Sequence, residues 1–386
     1  MANWPKLSSP HPAIELSDLT AASVLGRGGN GIVFFVRHLS SGRTLALKCI
    51  SKPSRDGDYR RIWFERDVLL ALQHPLLPSL RGIVSTDKLV GFAMDYCPGG
   101  DLNTVRRCQA EKMFSQEMIR FYAVEMVIAV EHLHTLGIIY RDLKPENILI
   151  QENGHIMLLD FDLSTKLPTS PSSPKSHFTR SKTLLSKTKP NNLLPLFRCF
   201  SCHHAGVSPD LAAGENLLPS PKKSKSFVGT EEYVAPEIII GKGHDFAVDW
   251  WGLGVVLYEM LYGRTPFRGQ NRKETFRRIL TKPPELVGKQ TALMDLIGKM
   301  LVNDPSKRIT CDEIKRHEFF RGVDWDLVVD IARPPYIPMG KKWEEVSEGL
   351  DVEKIVEEVS GGKARAATRN AGSVVRNSAN EDFAVF

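Results

Sequence analysis

The sequence predicts an α+β fold of two lobes, a small β-rich N-terminal lobe and a larger, mainly helical C-terminal one. Three observations predict it. Short β-rich runs crowd the first hundred residues, at 32–37, 44–50 and 89–95, broken by one helical stretch at 59–73. Long apolar stretches of buried-helix type follow at 115–136 and 247–262. Between these stands a loop dense in polar chemistry, Ile139-Tyr-Arg-Asp-Leu-Lys-Pro-Glu-Asn-Ile148. The 386 residues are enough for two lobes with cores of their own.

The expected organisation is a polar, Pro-containing flexible lead at 1–18, a folded domain at 19–320 and a tail at 321–386. Within the domain the N-lobe spans about 19–95 and the C-lobe about 98–320. Residues 165–224 interrupt the pattern. They are rich in Ser, Thr, Pro and Lys and poor in aromatics, so they bury too little apolar surface to offset their ordering entropy and read as a disordered insert. The last ~45 residues, charged and poorly periodic, read as a tail on the same argument.

The net charge of +6 is uneven. Residues 165–226 hold ten Lys or Arg and two acids, a local +8, which leaves −2 for the rest. The high pI therefore belongs to the insert, and no nucleic-acid groove is expected in the folded body. No apolar run approaches the ~18 residues of a membrane span. No secretory or lipidation signal is expected, since residue 2 is Ala and the chain does not end in a prenylated Cys motif. Six thinly spread cysteines fit a reducing compartment. Cys199, Cys202, His203 and His204 could hold zinc, but one knuckle does not close a tetrahedral site and free thiols are the expectation.

Gly26-Arg-Gly28-Gly-Asn-Gly31 leads into a β-rich run, which favours a strand–loop–strand flap over phosphates rather than a dinucleotide-binding turn. Lys48 stands on an apolar strand 17 residues later and must aim its ammonium at anions. Glu65 is its expected ion partner and the α/β phosphates its ligand. In the loop, Asp142, Lys144 and Asn147 place a base, a cation and a metal ligand around one transferring phosphate. Asp160, 13 residues after Asn147, is the second expected metal ligand. Asp162 stands where a hinge glycine is usual, so either the loop swings less readily or the site is impaired. Glu237 in Ala235-Pro-Glu is expected to pair with Arg308, and Asp249 to cap the loop's backbone.

This ordered set of motifs resembles the eukaryotic protein kinases from about Leu19 to Phe320. Tyr140-Arg-Asp, His74-Pro-Leu-Leu-Pro-Ser-Leu80 and Pro98-Gly-Gly-Asp101-Leu are similar to the AGC group. Asp160-Phe-Asp162 with a basic insert before Ala-Pro-Glu resembles the plant AGC VIII subfamily of PINOID and UNICORN kinases. The resemblance implies a bilobal kinase fold and a Ser/Thr kinase active with ATP and Mg²⁺ despite Asp162. It also implies a part in plant growth or auxin-related signalling. Asp142 would take the acceptor's proton, Lys144 neutralise the γ-phosphate, and Asn147 and Asp160 hold Mg²⁺. Val33, Ala46, Met94, Asp95, Cys97 and Asp101 would line the nucleotide site, with Met94 the gatekeeper. Leu69, Leu80, Tyr140 and Phe161 match an apolar spine. Asp101, Glu146 and Glu259 face one groove and read basic residues upstream of the acceptor, with Thr230 also at the substrate. Ser226 would be the activating phosphosite, bridged by Arg61 and Arg141. Phe383 and Phe386 would dock on the small lobe or on an upstream phosphoinositide-dependent kinase. The Phe-Asp-x-Tyr of many AGC tails is missing between 339 and 382. The insert would address anionic lipids, or the nucleus through Lys222, Lys223 and Lys225, so the expected location is the cytoplasm with nucleus or peripheral plasma membrane. A monomer is expected. The alternative is a catalytically weak, kinase-like scaffold that binds membrane or partners through its insert.

Overall fold

A computed structural model describes residues 13–28, 31–53, 59–167, 229–331 and 349–359. The small lobe is an antiparallel sheet in the order β1-β2-β3-β5-β4, made by β1 (Leu19–Arg27), β2 (Ile32–His38), β3 (Thr44–Ser51), β4 (Leu80–Ser85) and β5 (Leu89–Asp95). Helix α1 (Arg60–Ala71) lies between β3 and β4 in sequence. Strand alternation divides the side chains of β3 between two faces. Leu45, Leu47 and Cys49 join Ile32, Phe34 and Val36 in one apolar cluster. Ala46 and Lys48 lie on the other face, where Val33 and Phe92 pair with Lys48 and Met94 pairs with Ala46. Met94 and Phe92 belong to the larger core that continues into the helical lobe.

The large lobe is built on α3 (Gln116–Thr135) and α5 (Ala247–Tyr262), most of whose apolar residues are buried. Around them lie α2 (Leu102–Arg107), α4 (Pro236–Ile240), α6 (Arg272–Thr281), α7 (Ala292–Met300) and α8 (Cys311–Lys315). Ser115, Asn271, Thr291 and Thr310 each cap a helix by accepting from a backbone N–H in its first turn. Gly254 is required where α5 meets α7, since a Cβ there would lie 2.8 Å from that of Met300. Short pairs, β6 (Ile138–Ile139) with β9 (Thr165–Lys166) and β7 (Ile148–Ile150) with β8 (Ile156–Leu158), bracket the chemical loop. Among the described residues no helix is long and apolar enough to cross a membrane.

Three expectations need correction. The lead is not featureless to residue 18: Ile14 is buried and its N–H donates to the Ile83 carbonyl at 3.1 Å. The insert does not begin at 165, because Thr165 and Lys166 pair with Ile139 and Ile138. The tail carries a helix, α9, over residues 352–359. Its Val352 and Val356 are buried in the cluster on the far side of the sheet from Lys48. Asp351 accepts from Lys354 N–H at 3.0 Å, Leu350 N–H donates to Ala21 at 2.8 Å, and Lys88 pairs with Glu357 at 3.0 Å. The apolar face at 352, 355, 356 and 359 has helical spacing, which the surrounding charges disguise.

Candidate active site

The flap begins at a tight turn. Gly28 N–H donates to the Gly31 carbonyl at 2.9 Å, and Gly26 pairs with Val33 near the end of β1. A Cβ on Gly31 would sit 2.5 Å from the Cys49 carbonyl oxygen, so only glycine lets the flap approach β3 this closely. Next to it, Lys48 reaches three carboxylates. Its Nζ lies 2.6 Å from Glu65, 2.9 Å from Asp162 and 3.2 Å from Asp160. Burial acts to lower the Lys48 pKa, but these three carboxylates outweigh it and hold the ammonium charged. Burial pushes the Glu65 carboxyl upward, with Lys48 opposing and Asp162 adding to the rise.

Asp142, Lys144 and Asn147 come together as the spacing requires. Lys144 Nζ is 2.6 Å from Asp142 Oδ2. The Asn147 amide donates to the Asp142 backbone carbonyl at 2.9 Å and to its Oδ2 at 3.0 Å. Thr230 Oγ1 donates to Asp142 Oδ1 at 2.9 Å and accepts from Lys144 at 3.1 Å. The β7–β8 hairpin brings Asn147 beside the Asp160 segment, where Leu159 N–H donates to the Asn147 carbonyl at 2.9 Å. Asp160 takes a left-handed φ of 62° and its carboxylate is 41 % exposed. An exposed carboxylate and an amide oxygen are hard donors of the kind Mg²⁺ takes, so this donor set fits that ion.

The loop is fixed from below. Asp249 accepts from the N–H groups of Tyr140 and Arg141 at 2.9 and 2.7 Å, and meets His134 at 2.8 Å. Arg141 has a φ of 70°, which such a cap helps to hold. Arg308 grips Glu237 through two bonds of 2.6 and 3.0 Å. Leu69, Leu80, Tyr140 and Phe161 are all buried in the one core, with the rings of Tyr140 and Phe161 5.6 Å apart.

The side chains of the other assigned residues are placed as follows. The Asp95 carboxylate is held by Arg81 at 2.5 and 2.7 Å, so only its backbone is left to meet a ligand. Cys97 is buried with its thiol 3.6 Å from the Met157 sulfur. Asp101 caps α2 by accepting from Thr104 N–H at 2.8 Å, and it does not line the cavity of about 460 Å³ that Glu146 and Glu259 share. The sequence reading missed two acids that do line it, Glu231 and Glu232. Glu259 is buried and paired with Arg106 at 2.9 Å, whereas exposed Glu146 meets the neutral amide of Asn103 at 3.0 Å. Asp162 has no left-handed φ, so the conformational freedom of glycine is not used there. Arg141 donates to the carbonyls of Leu163 and Ser164 at 2.6 and 3.3 Å. Its pKa is pushed down to about 10, first by burial, with the nearby charge of Arg61 adding to the fall against Asp249. Ser226, Phe383, Phe386, Cys199, Cys202, His203 and His204 lie outside the described residues.

The chain is similar to known protein kinases. The protein kinase domain family matches residues 19–185 and 210–320. The serine/threonine-protein kinase OXI1 of Arabidopsis thaliana is 52 % identical over 372 residues, 90 % of this chain and 86 % of that protein. The serine/threonine-protein kinases UCNL and UCN of the same plant are 43 % and 42 % identical, over 91 % and 89 % of this chain and 91 % of each relative. Nothing in these relatives favours the scaffold alternative. The chain belongs to the protein kinases, in the plant AGC VIII group, and is a serine/threonine kinase.

Proposed function

We propose that the kinase transfers the γ-phosphate of ATP, with Mg²⁺, to Ser or Thr hydroxyls of proteins with basic residues upstream of the acceptor. The observation that carries the mechanism is the Thr230 hydroxyl, held between Asp142 and Lys144. It stands where an acceptor hydroxyl could donate to the same carboxylate, and Asp142 would take that proton as attack begins. Lys144 would offset charge on the transferring group and Lys48 the charge of the α and β phosphates. Asn147 and Asp160 would hold the metal, whose contribution is to neutralise phosphate charge. Val33, Ala46 and Met94 would pack the base beneath the flap of Gly26, Gly28 and Gly31. Residues 19–320 form the catalytic domain in this reading, and the chain acts as a monomer.

Upstream basic specificity rests on Glu146, which faces a neutral partner, and on Glu231 and Glu232 beside it. In a set of Ser and Thr peptides, those with Arg before the acceptor should be used about tenfold better than neutral ones. Equal use of acidic, neutral and basic peptides would remove this specificity.

Arg61 and Arg141 support a phosphate pocket, because burial and the nearby charge of Arg61 both disfavour the charged Arg141 guanidinium, a cost that an anion would offset. Phosphorylated Ser226 is the proposed anion, added by an upstream phosphoinositide-dependent kinase docked on Phe383 and Phe386. Ser226→Ala, and separately Phe383→Ala with Phe386→Ala, should lower activity at least tenfold. Full activity of homogeneously unphosphorylated protein would contradict the switch. The enzyme is proposed to be cytoplasmic, with the basic insert addressing part of the population to anionic lipid surfaces or to the nucleus. Deleting 170–220 should then change location more than turnover, and the reverse result would count against it.

A further inference from the structure

The remaining question at the site is what Asp162 does, since its backbone does not need a glycine. We propose that Asp162 is a positioning residue for Lys48, a second fixed carboxylate that shares with Glu65 the task of holding the ammonium toward the nucleotide phosphates. This rests on the reading of Lys48 as the phosphate-binding lysine.

The geometry supports a built contact rather than a chance one. The Asp162 carboxylate lies nearer to Lys48 than Asp160 does, at 2.9 against 3.2 Å, and is 16 % exposed against 41 %. Its position is fixed through its neighbours. Phe161 is buried and set against Tyr140, Ser164 N–H donates to the Phe161 carbonyl at 3.0 Å, and Ser164 Oγ donates to the Tyr140 carbonyl at 3.2 Å. The carboxylate therefore arrives from the helical lobe on a rigid turn, while Glu65 arrives from α1. Lys48 is thus pinned from two elements far apart in the sequence. An ammonium offers three donors, and three carboxylates meet them. Once Asp160 is committed to a metal, two carboxyl anchors remain, where a glycine at 162 would leave one. Each anchor should then be partly dispensable while the other is present.

The test is binding of a fluorescent ADP analogue in the presence of a chelator, so that no metal contributes, together with KM for ATP and kcat. Asp162→Asn and Glu65→Gln should each weaken analogue binding and raise KM for ATP by about threefold, a larger factor than any fall in kcat. The double variant should lose about 100-fold, well beyond the roughly tenfold that independent effects would give. A loss equal to the product of the single effects overturns the proposal. Should the double variant fail to fold by thermal melting, the comparison of Asp162→Gly with Asp162→Asn decides. The proposal predicts the same weakening in both, because both lack the carboxylate. Binding unchanged or improved in Asp162→Gly overturns it and returns Asp162 to a hinge role. Wild-type protein that does not bind the analogue at all would overturn the reading of Lys48 itself.

Discussion

Asp160→Ala should abolish phosphoryl transfer while leaving the lobes folded. Asp160 is the most exposed of the three carboxylates on Lys48, and its segment is held beside Asn147 by the Leu159 backbone bond. Removing it takes away the carboxylate of the proposed metal site, and the phosphate charge would go unneutralised in the transition state. A loss of ~4 kcal/mol there corresponds to a fall in kcat of roughly 10³-fold. Lys48 would keep Glu65 and Asp162, so the small lobe should hold. The left-handed φ of 62° at Asp160 complicates the alanine, which adopts that region at a cost of ~1 kcal/mol. Asp160→Asn tolerates the conformation and serves as the control. Both variants should be inactive in phosphate incorporation, and the Asn variant should unfold within a few degrees of wild type. Activity equal to wild type in either would mean that Asp160 is not part of the reacting centre.

Arg308→Ala should give the largest loss of stability. The Arg308 side chain is fully buried and that of Glu237 is 7 % exposed. Besides its two bonds to Glu237, Arg308 donates to the Ala247 and Val302 carbonyls at 2.8 and 3.1 Å and lies over the Trp251 ring. Truncating it leaves a buried carboxylate and two carbonyls without their donor. Such a loss costs ~3–5 kcal/mol, a large share of the ~5–15 kcal/mol that stabilises a typical native protein. Replacing both partners, Arg308→Met with Glu237→Gln, should cost less than the single change, since no charge is stranded. Urea titration of both variants checks this. A cost below ~1 kcal/mol for Arg308→Ala would show that the bridge does not hold the end of the activation segment to the helical lobe.

What the sequence disclosed, and what it hid, follows from how local each signal is. The loop from Ile139 to Ile148 was legible because its chemistry lies within ten residues, and α5 because its apolar run is continuous. The Lys48–Glu65 pair was legible because a cation amid apolar neighbours needs an anion, and Arg308–Glu237 because each residue stands in a short motif, Ala235-Pro-Glu237 and Asp304-Pro-Ser-Lys-Arg308. Helix α9 was hidden, because four apolar residues lie among Glu353, Lys354, Glu357 and Glu358, and only the uncovered sheet face gives them a partner. Thr165 and Lys166 have a composition suited to a coil, and their strand pairing is decided by Ile138 and Ile139 across the sheet. Asp101 was read as a substrate carboxylate when its position before Leu102 also suits an N-cap, and the cap is where the side chain goes. Asp162 was read through its backbone, but what distinguishes it is a side chain reaching an element 114 residues away.

The central claim is that Asp142, placed by the capped loop against Lys144, Asn147 and Thr230, is the base of a phosphoryl transfer to Ser or Thr. The most direct measurement is incorporation of labelled γ-phosphate from ATP into an Arg-containing Ser peptide, by wild type and by Asp142→Asn prepared side by side. The Asn variant keeps the shape of the side chain and loses the carboxylate that would take the proton. Wild type should phosphorylate the peptide, and Asp142→Asn should be slower by at least about 10²-fold with an unchanged melting temperature. Equal rates from two equally folded proteins would contradict the account.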